Sequence, residues 1–258
     1  MKYSIGLFIA ITGFYLASEH LGQKIDAYWD FVAFFVVVFG TTAVMLISRP
    51  ATPFKNLLFK FIQKFFLGSQ RHKKAAEQCW EVSLKREAIK DPRFIEEQIL
   101  NDGLELISLG FDKDKTIDIL SQRYHHYENQ MMLLSAWFKR NAKYPPAFGL
   151  AGTVLGLIHL MRGISSGIDS KETGLRMAVA LVATFYGLLL SNLVLNPIGE
   201  WLIEEAKKDQ QKSEMAIEAI GLMMENVNIV EIQERINSFL DPSERISGLN
   251  FQTEAEAT

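Results

Sequence analysis

The sequence lacks most of the features that support catalysis. It has a single cysteine, Cys79, so no intramolecular disulfide can form. No glycine-rich phosphate loop follows a strand, and the pair His125-His126 has no spaced partners for a metal site. We therefore expect neither an enzyme nor a metal or cofactor. The formal net charge of -3 gives no indication of nucleic-acid binding, and we expect none.

Charge of either sign is absent from four long segments. Asp, Glu, Lys and Arg are missing from Tyr3–Ser18, Phe31–Ser48, Tyr144–Met161 and Met177–Gly199. An ordinary globular core would interleave apolar and charged residues, whereas here the charges crowd into 49–143 and 200–258. This pattern predicts an all-α membrane protein with four transmembrane helices. The first segment could instead be a signal peptide, but a second apolar segment follows closely and favours a helical hairpin.

The predicted domains follow from this alternation. A transmembrane hairpin occupies 1–49, a helical cytoplasmic domain 50–143, a second hairpin 144–200, and cytoplasmic C-terminal helices with a disordered tail 201–258. Most of the 27 lysines and arginines lie in 49–143, so the positive-inside rule places this domain and both termini in the cytoplasm. Phe54–Leu67 is amphipathic, and it fits a helix in the membrane interface as well as a soluble one.

Small residues recur at helical spacing in the last two apolar segments. They are Gly149, Gly152 and Gly156, followed by Ala180, Ala183, Gly187 and Ser191, with Thr153 and Thr184 beside them. Small faces let helices approach closely in lipid. These faces either pack the two helices together within the chain, or line a path and hold a helix of another chain.

Acidic residues are missing from both of these segments. An ion pathway through a membrane needs an ionisable group. His159 is the only candidate there, and its place near the outer end favours an interfacial histidine over a proton relay. If the protein conducts ions, the titrating carboxylate must come from a partner.

Four stretches of the sequence carry a family resemblance. PPAFGLAGTVLGLI at 145–158 and AVALVATFYGLLLSNLVLNPIGEWL at 178–202 resemble the third and fourth spans of the MotA family. NDGLELISLGFDKDKTIDIL at 101–120 and ENVNIVEIQERINSFL at 225–240 are similar to cytoplasmic stretches of that family. ExbB and TolQ proteins of the same superfamily share the span motifs in weaker form, with three spans.

The resemblance implies a stator subunit of the bacterial flagellar motor in the inner membrane. Five chains would surround the helices of a MotB-type single-span partner, which supplies the membrane aspartate, and would drive the rotor protein FliG. By matching position, Pro146 and Pro197 are the family's functional prolines, and Thr184 faces the ion site with Thr153 nearby. Sodium-driven members tend to carry a hydroxyl where this chain has Ala183, so protons are favoured over sodium.

The rotor contact is the part of the resemblance that matches least. The family usually shows an Arg followed eight residues later by Glu, around a glycine. Lys73 and Glu81 have this spacing without the glycine, and Arg86, Glu87 and Arg93 are alternatives. Two other functions stay open, an ExbB/TolQ-like energiser of outer-membrane transport or envelope integrity, and a non-conducting membrane scaffold.

Overall fold

The computed structural model describes residues 2–20, 22, 28–50, 59, 61–62, 71–167 and 169–246. Over these ranges the ordered elements are helices and there is no strand, so the predicted all-α class is confirmed. The helices are α1 (Lys2–His20), α2 (Phe31–Ile47), α3 (His72–Lys85), α4 (Ile95–Ser108), α5 (Lys113–Asn141), α6 (Tyr144–Ser165), α7 (Ser170–Leu189), α8 (Asn196–Met224) and α9 (Ile229–Asn237). A π-helical turn at Leu190–Leu195 joins α7 to α8.

The chain forms two compact units. The first comprises Met1–Phe54 with Leu133–Leu202, and the second comprises Lys55–Met132 with Ile203–Thr258. The predicted domain limits after residues 49, 143 and 200 are statements about the membrane, and they stay predictions.

The first unit is built on the packing of α6 against α7, with α2 against both. Asp30 begins α2, where its side chain accepts a hydrogen bond from the Ala33 N–H at 2.6 Å. Phe14 of α1 stacks on Phe185 of α7, with ring centroids 4.9 Å apart.

Large apolar side chains cover the outside of the first unit. Phe8 is 69% exposed, and many others are also exposed, among them Ile9, Phe39, Leu150 and Leu155. An apolar surface of this extent marks contact with lipid or with other proteins. Among the described residues, two long helical stretches, Lys113–Ser165 and Glu172–Met224, are long and apolar enough to cross a membrane by length and composition, and α2 is a shorter apolar helix.

The second unit encloses a conventional hydrophobic core between α3, α4, α5, α8 and α9. Its fully buried members include Ala76, Leu100, Leu120, Ala216 and Ile220. Gly103 of α4 lies against α8, since a Cβ at this position would come within 2.6 Å of Ile220. Apolar residues recur at three- and four-residue steps from Ile117 to Phe138 and predict a helix, which the structure confirms as α5.

Two predictions concern segments that lie partly outside the described residues. The amphipathic stretch Phe54–Leu67 lies outside them except at 59, 61 and 62. The tail predicted to be disordered, Ser243–Thr258, lies within the described residues only as far as Ile246, which Asn237 holds through two hydrogen bonds. Its Oδ1 accepts from the Ile246 N–H at 2.8 Å, and its Nδ2 donates to the Ile246 carbonyl at 3.0 Å. Residues from 247 onwards lie outside the described part.

Candidate functional site

The contact between α6 and α7 is made by small residues on both helices. A Cβ on Gly149 would lie 2.8 Å from the Ala183 carbonyl oxygen, and one on Gly152 would lie 2.6 Å from the Ala183 Cβ. A Cβ on Gly156 would lie 2.5 Å from that of Ala180. Both alanines are buried. These small faces therefore pack the two helices together within the chain, and a role against a second chain stays a prediction.

Thr153 and Thr184 meet across this contact. Their Oγ1 atoms are 2.6 Å apart, and the Thr153 hydroxyl also donates to the Gly149 carbonyl at 3.1 Å. A hydroxyl has one proton to donate and two lone pairs to accept with. Either hydroxyl can be the donor in this contact; when Thr153 donates to Gly149, Thr184 donates to Thr153 and keeps its two lone pairs as acceptors. Both side chains are half-buried.

Gly187 and Ser191 fix α7 to the segment where α6 begins. Gly187 packs so closely on the Pro145 carbonyl that a Cβ would clash with this backbone. Ser191 is buried, and its hydroxyl donates to the Ala142 carbonyl at 2.6 Å. Pro146 stands in the first turn of α6, where its missing N–H leaves no backbone acceptor unpaired. The Gly187 and Ser191 contacts are again within the chain.

Pro197 is the second residue of α8 and follows the π turn directly. Proline cannot donate to the carbonyl four residues back, and its ring collides with that carbonyl in a regular α-helix. The wider π turn separates these groups, so the helix continues past Pro197 without a break. The sequence predicts that the last apolar helix is interrupted near Pro197, and the structure shows a π-helical turn at Leu190–Leu195 directly before it.

Asn141 joins the ends of α2 and α5, a connection that the sequence analysis missed. Its Oδ1 accepts from the Ser48 hydroxyl at 2.8 Å, and its Nδ2 donates to the Trp137 carbonyl at 2.7 Å. Arg140 donates to the Ser48 carbonyl at 3.1 Å. Asn141 is 0% exposed. A polar amide four residues before the proline pair was the available signal.

The sequence also gave no indication that Tyr186 holds the backbone before α2. Its hydroxyl donates to the Tyr28 carbonyl at 2.5 Å and accepts from the Asp30 N–H at 3.1 Å. One phenol on α7 thus holds the backbone immediately before α2.

A cavity of about 510 Å³ lies between α2, α6 and α7. Its walls are mostly apolar, with Val36 and Leu155 among them, and His159, Asp30 and Arg176 also line it. Arg176 pairs with Glu172 at 2.6 Å. His159 therefore shares a cavity with two charged groups, while Thr153 and Thr184 are not among the residues that line it.

The predicted rotor-facing residues lie on the surface of the second unit, and all five are exposed. Lys73 and Glu81 are on α3, where Glu81 pairs with Lys85 at 2.7 Å and raises the pKa of this lysine. Arg86 donates to the Met223 carbonyl at 3.3 Å and to Asn226 at 3.2 Å, so it helps to hold the end of α8. Arg93 pairs with Asp91 at 3.3 Å, and Glu87 lies in the same connection between α3 and α4.

The core of the second unit contains a charged cluster that the sequence analysis also missed. Lys212 is 0% exposed and binds Glu96 at 3.0 Å and Asp209 at 3.3 Å. Burial raises the pKa of Glu96 despite the lysine beside it. The pKa of Tyr127, which donates to Asp209 at 2.9 Å, is raised by burial and then by that carboxylate.

Cys79 is fully buried in the same core, and burial raises the pKa of its thiol, as in an unreactive cysteine. Within the described ranges, no group of three or more His, Cys, Asp or Glu residues is placed to hold a metal ion.

Comparison with known proteins agrees with this arrangement. A family model described as the MotA/TolQ/ExbB proton channel family matches residues 92–215. The Motility protein A of Borreliella burgdorferi is 24% identical over 229 residues, covering 86% of each chain. The Motility protein A of Cereibacter sphaeroides is 26% identical over 253 residues, covering 94% of each chain.

A solved structure described as "Structure of C. jejuni MotAB" superimposes with a TM-score of 0.81 at 17% sequence identity, covering 96% of this chain and 98% of that chain. At this identity the superposition shows a shared fold. The resemblance predicted from the sequence is confirmed: residues 92–215 match the model of the MotA/TolQ/ExbB proton channel family, and relatives named Motility protein A are similar over most of the chain.

Proposed function

We propose that this chain is a flagellar motor stator subunit, which conducts protons with a MotB-type partner and converts the flux into torque on the rotor. The observation that carries the proposal is the hydrogen bond of 2.6 Å between Thr153 and Thr184. The apolar segments that contain these two residues, 144–161 and 177–199, have no acidic residue. In this proposal a lone pair of Thr184 faces a carboxyl group of the partner, which supplies the proton. The names of the similar proteins, Motility protein A and MotAB, support the same function.

In this proposal the first unit spans the inner membrane four times, with both termini on the cytoplasmic side. The spans are α1, α2, α6, and α7 with its π turn. At 19 and 17 residues, α1 and α2 are about 28 and 26 Å long, close to the thickness of a bilayer core. The exposed apolar side chains of these helices would face lipid or neighbouring copies.

The partners follow from what the chain lacks. Because α6, and α7 from Met177 onwards, offer hydroxyls but no carboxylate, a MotB-type membrane helix would supply the acidic group. We propose five copies around that partner, with the exposed charges of the second unit, such as Lys73, Glu81 and Glu87, facing FliG. The buried methyl group of Ala183 adds no oxygen beside Thr184, which favours a proton over a dehydrated sodium ion that needs several oxygen ligands.

Replacing the Thr184 hydroxyl tests the proposal. Thr184→Val keeps the size of the side chain but removes the acceptor, so we expect swimming to be reduced while the protein level in the membrane stays unchanged. Thr184→Ser keeps the hydroxyl and should retain swimming. The matched control is Thr42→Val, because Thr42 is exposed on α2 and donates only to Val38 of its own helix. Swimming speed and copurification with the MotB-type partner are the measurements.

Deletion of the gene separates stator work from the alternatives. A deletion strain that swims normally but has an envelope or import defect would favour an ExbB/TolQ-like energiser. A complex that passes no ions after removal of the partner's plug would indicate a scaffold. Either result, or a chain that copurifies with no MotB-type protein, would contradict the stator proposal.

A further inference from the structure

Helix α6 runs antiparallel to both of its neighbours around the cavity of the first unit. Its Gly152 and Gly156 meet small residues of α7 in reverse order. On the other side, the Cγ1 of Val36 in α2 lies 3.7 Å from the Cβ position of Gly152. Phe148, one turn earlier in α6, meets Gly40, one turn later in α2. The start of α2, the start of α7 and the end of α6 therefore lie at the same end of the cavity.

The polar residues of the cavity lie at this end. Asp30 is the N-cap of α2, Arg176 is in the second turn of α7, and His159 is in the last two turns of α6. Towards the other end the lining is apolar and reaches Val36 and Gly152. From His159 to Gly152, α6 advances about 10 Å, at 1.5 Å for each residue. The cavity thus has a polar end and an apolar length, which is the profile of an amphiphilic molecule.

The cavity opens sideways onto the apolar surface of the first unit. Val32 and Leu155 line it, yet they are 71% and 57% exposed, whereas Ala33 and Ala180 on its walls are buried. Its volume of about 510 Å³ lies within the range of pockets that hold small molecules, about 300–1,000 Å³. Apolar walls favour hydrocarbon over water as the occupant. A hydrocarbon chain of a surrounding bilayer can therefore enter from the side.

The polar end carries charges of both signs. Arg176 pairs with Glu172 at 2.6 Å, and a guanidinium group has five N–H donors in a planar arrangement that suits phosphate. Asp30 is fixed at the start of α2, where its Oδ1 accepts from the Ala33 N–H at 2.6 Å. A purely anionic head group would meet the Asp30 carboxylate as well as Arg176. A head group that has both a phosphate and an ammonium group complements the two residues together.

We propose that this cavity binds one phospholipid whose zwitterionic head group carries an amine. One acyl chain lies along Gly152 and Gly156, the phosphate accepts hydrogen bonds from Arg176 and His159, and the ammonium group pairs with Asp30. In the proposed topology this end of the cavity is on the outer side of the membrane. The lipid site rests on that membrane position, which belongs to the proposed function, but on neither ion conduction nor torque.

Photo-crosslinking of the full chain, purified with its partner into lipid nanodiscs, tests the site. The probe is phosphatidylethanolamine with a diazirine on one acyl chain, and phosphatidylglycerol with the same chain is the comparison. Mass spectrometry of peptides locates the label. We expect stronger labelling of Val36 and Leu155 from the first lipid than from the second. Phe39 and Leu150, which are exposed and do not line the cavity, should be labelled equally by both.

Two pairs of variants sharpen this test. Val36→Phe fills the cavity and should remove its label, whereas Val38→Phe is the matched control, because Val38 is also half-buried on α2 but does not line the cavity. Arg176→Gln should lower the label from phosphatidylethanolamine about tenfold, through the loss of one charge-assisted hydrogen bond. Arg162→Gln is its control, since Arg162 is exposed near the end of α6 and does not line the cavity. Size-exclusion chromatography will show whether each variant still assembles, and Arg176→Gln decides if Val36→Phe does not.

Three results would overturn the lipid site. They are equal labelling of the cavity by both lipids, a cavity label unchanged in both Val36→Phe and Arg176→Gln, and a cavity without label while Phe39 and Leu150 are labelled. The last result would show that another chain covers the cavity, and all three would leave the stator proposal standing. Absence of label from the cavity and from the outer residues alike would contradict the membrane position itself, and with it the proposed function.

Discussion

At the scale of the residue, Gly149 determines how closely α6 and α7 approach. A methyl group there would meet the backbone of Ala183 and Thr184, which cannot move as a flexible side chain can. We expect Gly149→Ala to lower the free energy of unfolding by about 1–3 kcal/mol, the usual cost of overpacking. Gly174→Ala is the control, because Gly174 is exposed in α7 with nothing near its Cβ position.

The control variant Gly174→Ala should raise the free energy of unfolding, whereas Gly149→Ala should lower it. Alanine is favoured over glycine in a helix by roughly 1 kcal/mol, so Gly174→Ala should stabilise slightly. Thermal unfolding of both variants in the same detergent measures the difference. Equal melting temperatures for the two variants would contradict the close approach at Gly149.

The sequence predicted some of these residues because their roles follow from spacing. Glycines three and four positions apart must share a helix face, and Thr153 and Thr184 stand beside two such faces. Lys212 could not be found this way. It lies in a strongly polar stretch, where a lysine is ordinarily a solvated side chain, and its burial depends on Glu96, 116 residues earlier in the chain.

At the scale of the element, the hydrogen bond between Ser48 and Asn141 couples the end of α2 to the end of α5. Ser48→Ala leaves the buried Asn141 oxygen without its donor, and Asn141→Ala removes both bonds of the amide. A double-mutant cycle should give a coupling free energy of about 0.5–1.5 kcal/mol, typical of one internal hydrogen bond. Denaturant unfolding of the two single variants and the double variant measures it. Strict additivity would mean that the contact contributes nothing.

Helix identity was predictable from sequence, and helix geometry was only partly so. Apolar periodicity predicted α5, and Pro197 indicated that the last apolar helix is perturbed. The form of the perturbation, a π turn at Leu190–Leu195, depends on how the chain resolves the clash of the proline ring. Ser191 of this turn donates to Ala142 in the connection between α5 and α6, and no local pattern specifies this contact.

At the scale of the whole molecule, we expect removal of Lys212 alone from its cluster with Glu96 and Asp209 to lower the free energy of unfolding strongly. Replacing all three charged residues together should lower it much less. Lys212→Met leaves two buried carboxyl groups without their cation, so we expect a loss of about 3–5 kcal/mol in the free energy of unfolding. The triple variant Glu96→Leu, Asp209→Asn, Lys212→Met removes the charges together and should recover most of this loss. Chemical denaturation of the full chain compares them. A triple variant as unstable as Lys212→Met would show that the packing of the lysine stem matters more than its charge.

Composition and packing divide the chain at different places. Composition separates apolar from charged segments, and the limits that it predicts after residues 49, 143 and 200 concern the membrane and stay predictions. The compact units divide α5 after Met132 and α8 after Leu202, inside continuous helices. A helix with a regular apolar stripe gives no local sign of where its packing partners change, because the stripe itself does not change.

The close fit of α6 and α7 has a mechanical consequence. Sliding or twisting one helix along the other would drive the side chains of Ala180 and Ala183 out of the spaces left by Gly152 and Gly156, and would break the bond between Thr153 and Thr184. Packed interfaces of this kind change between discrete arrangements and do not deform gradually. We therefore expect the hairpin to behave as a stiff lever during any working cycle. The compliance of the protein must then reside in its connecting segments, or between separate copies of the chain.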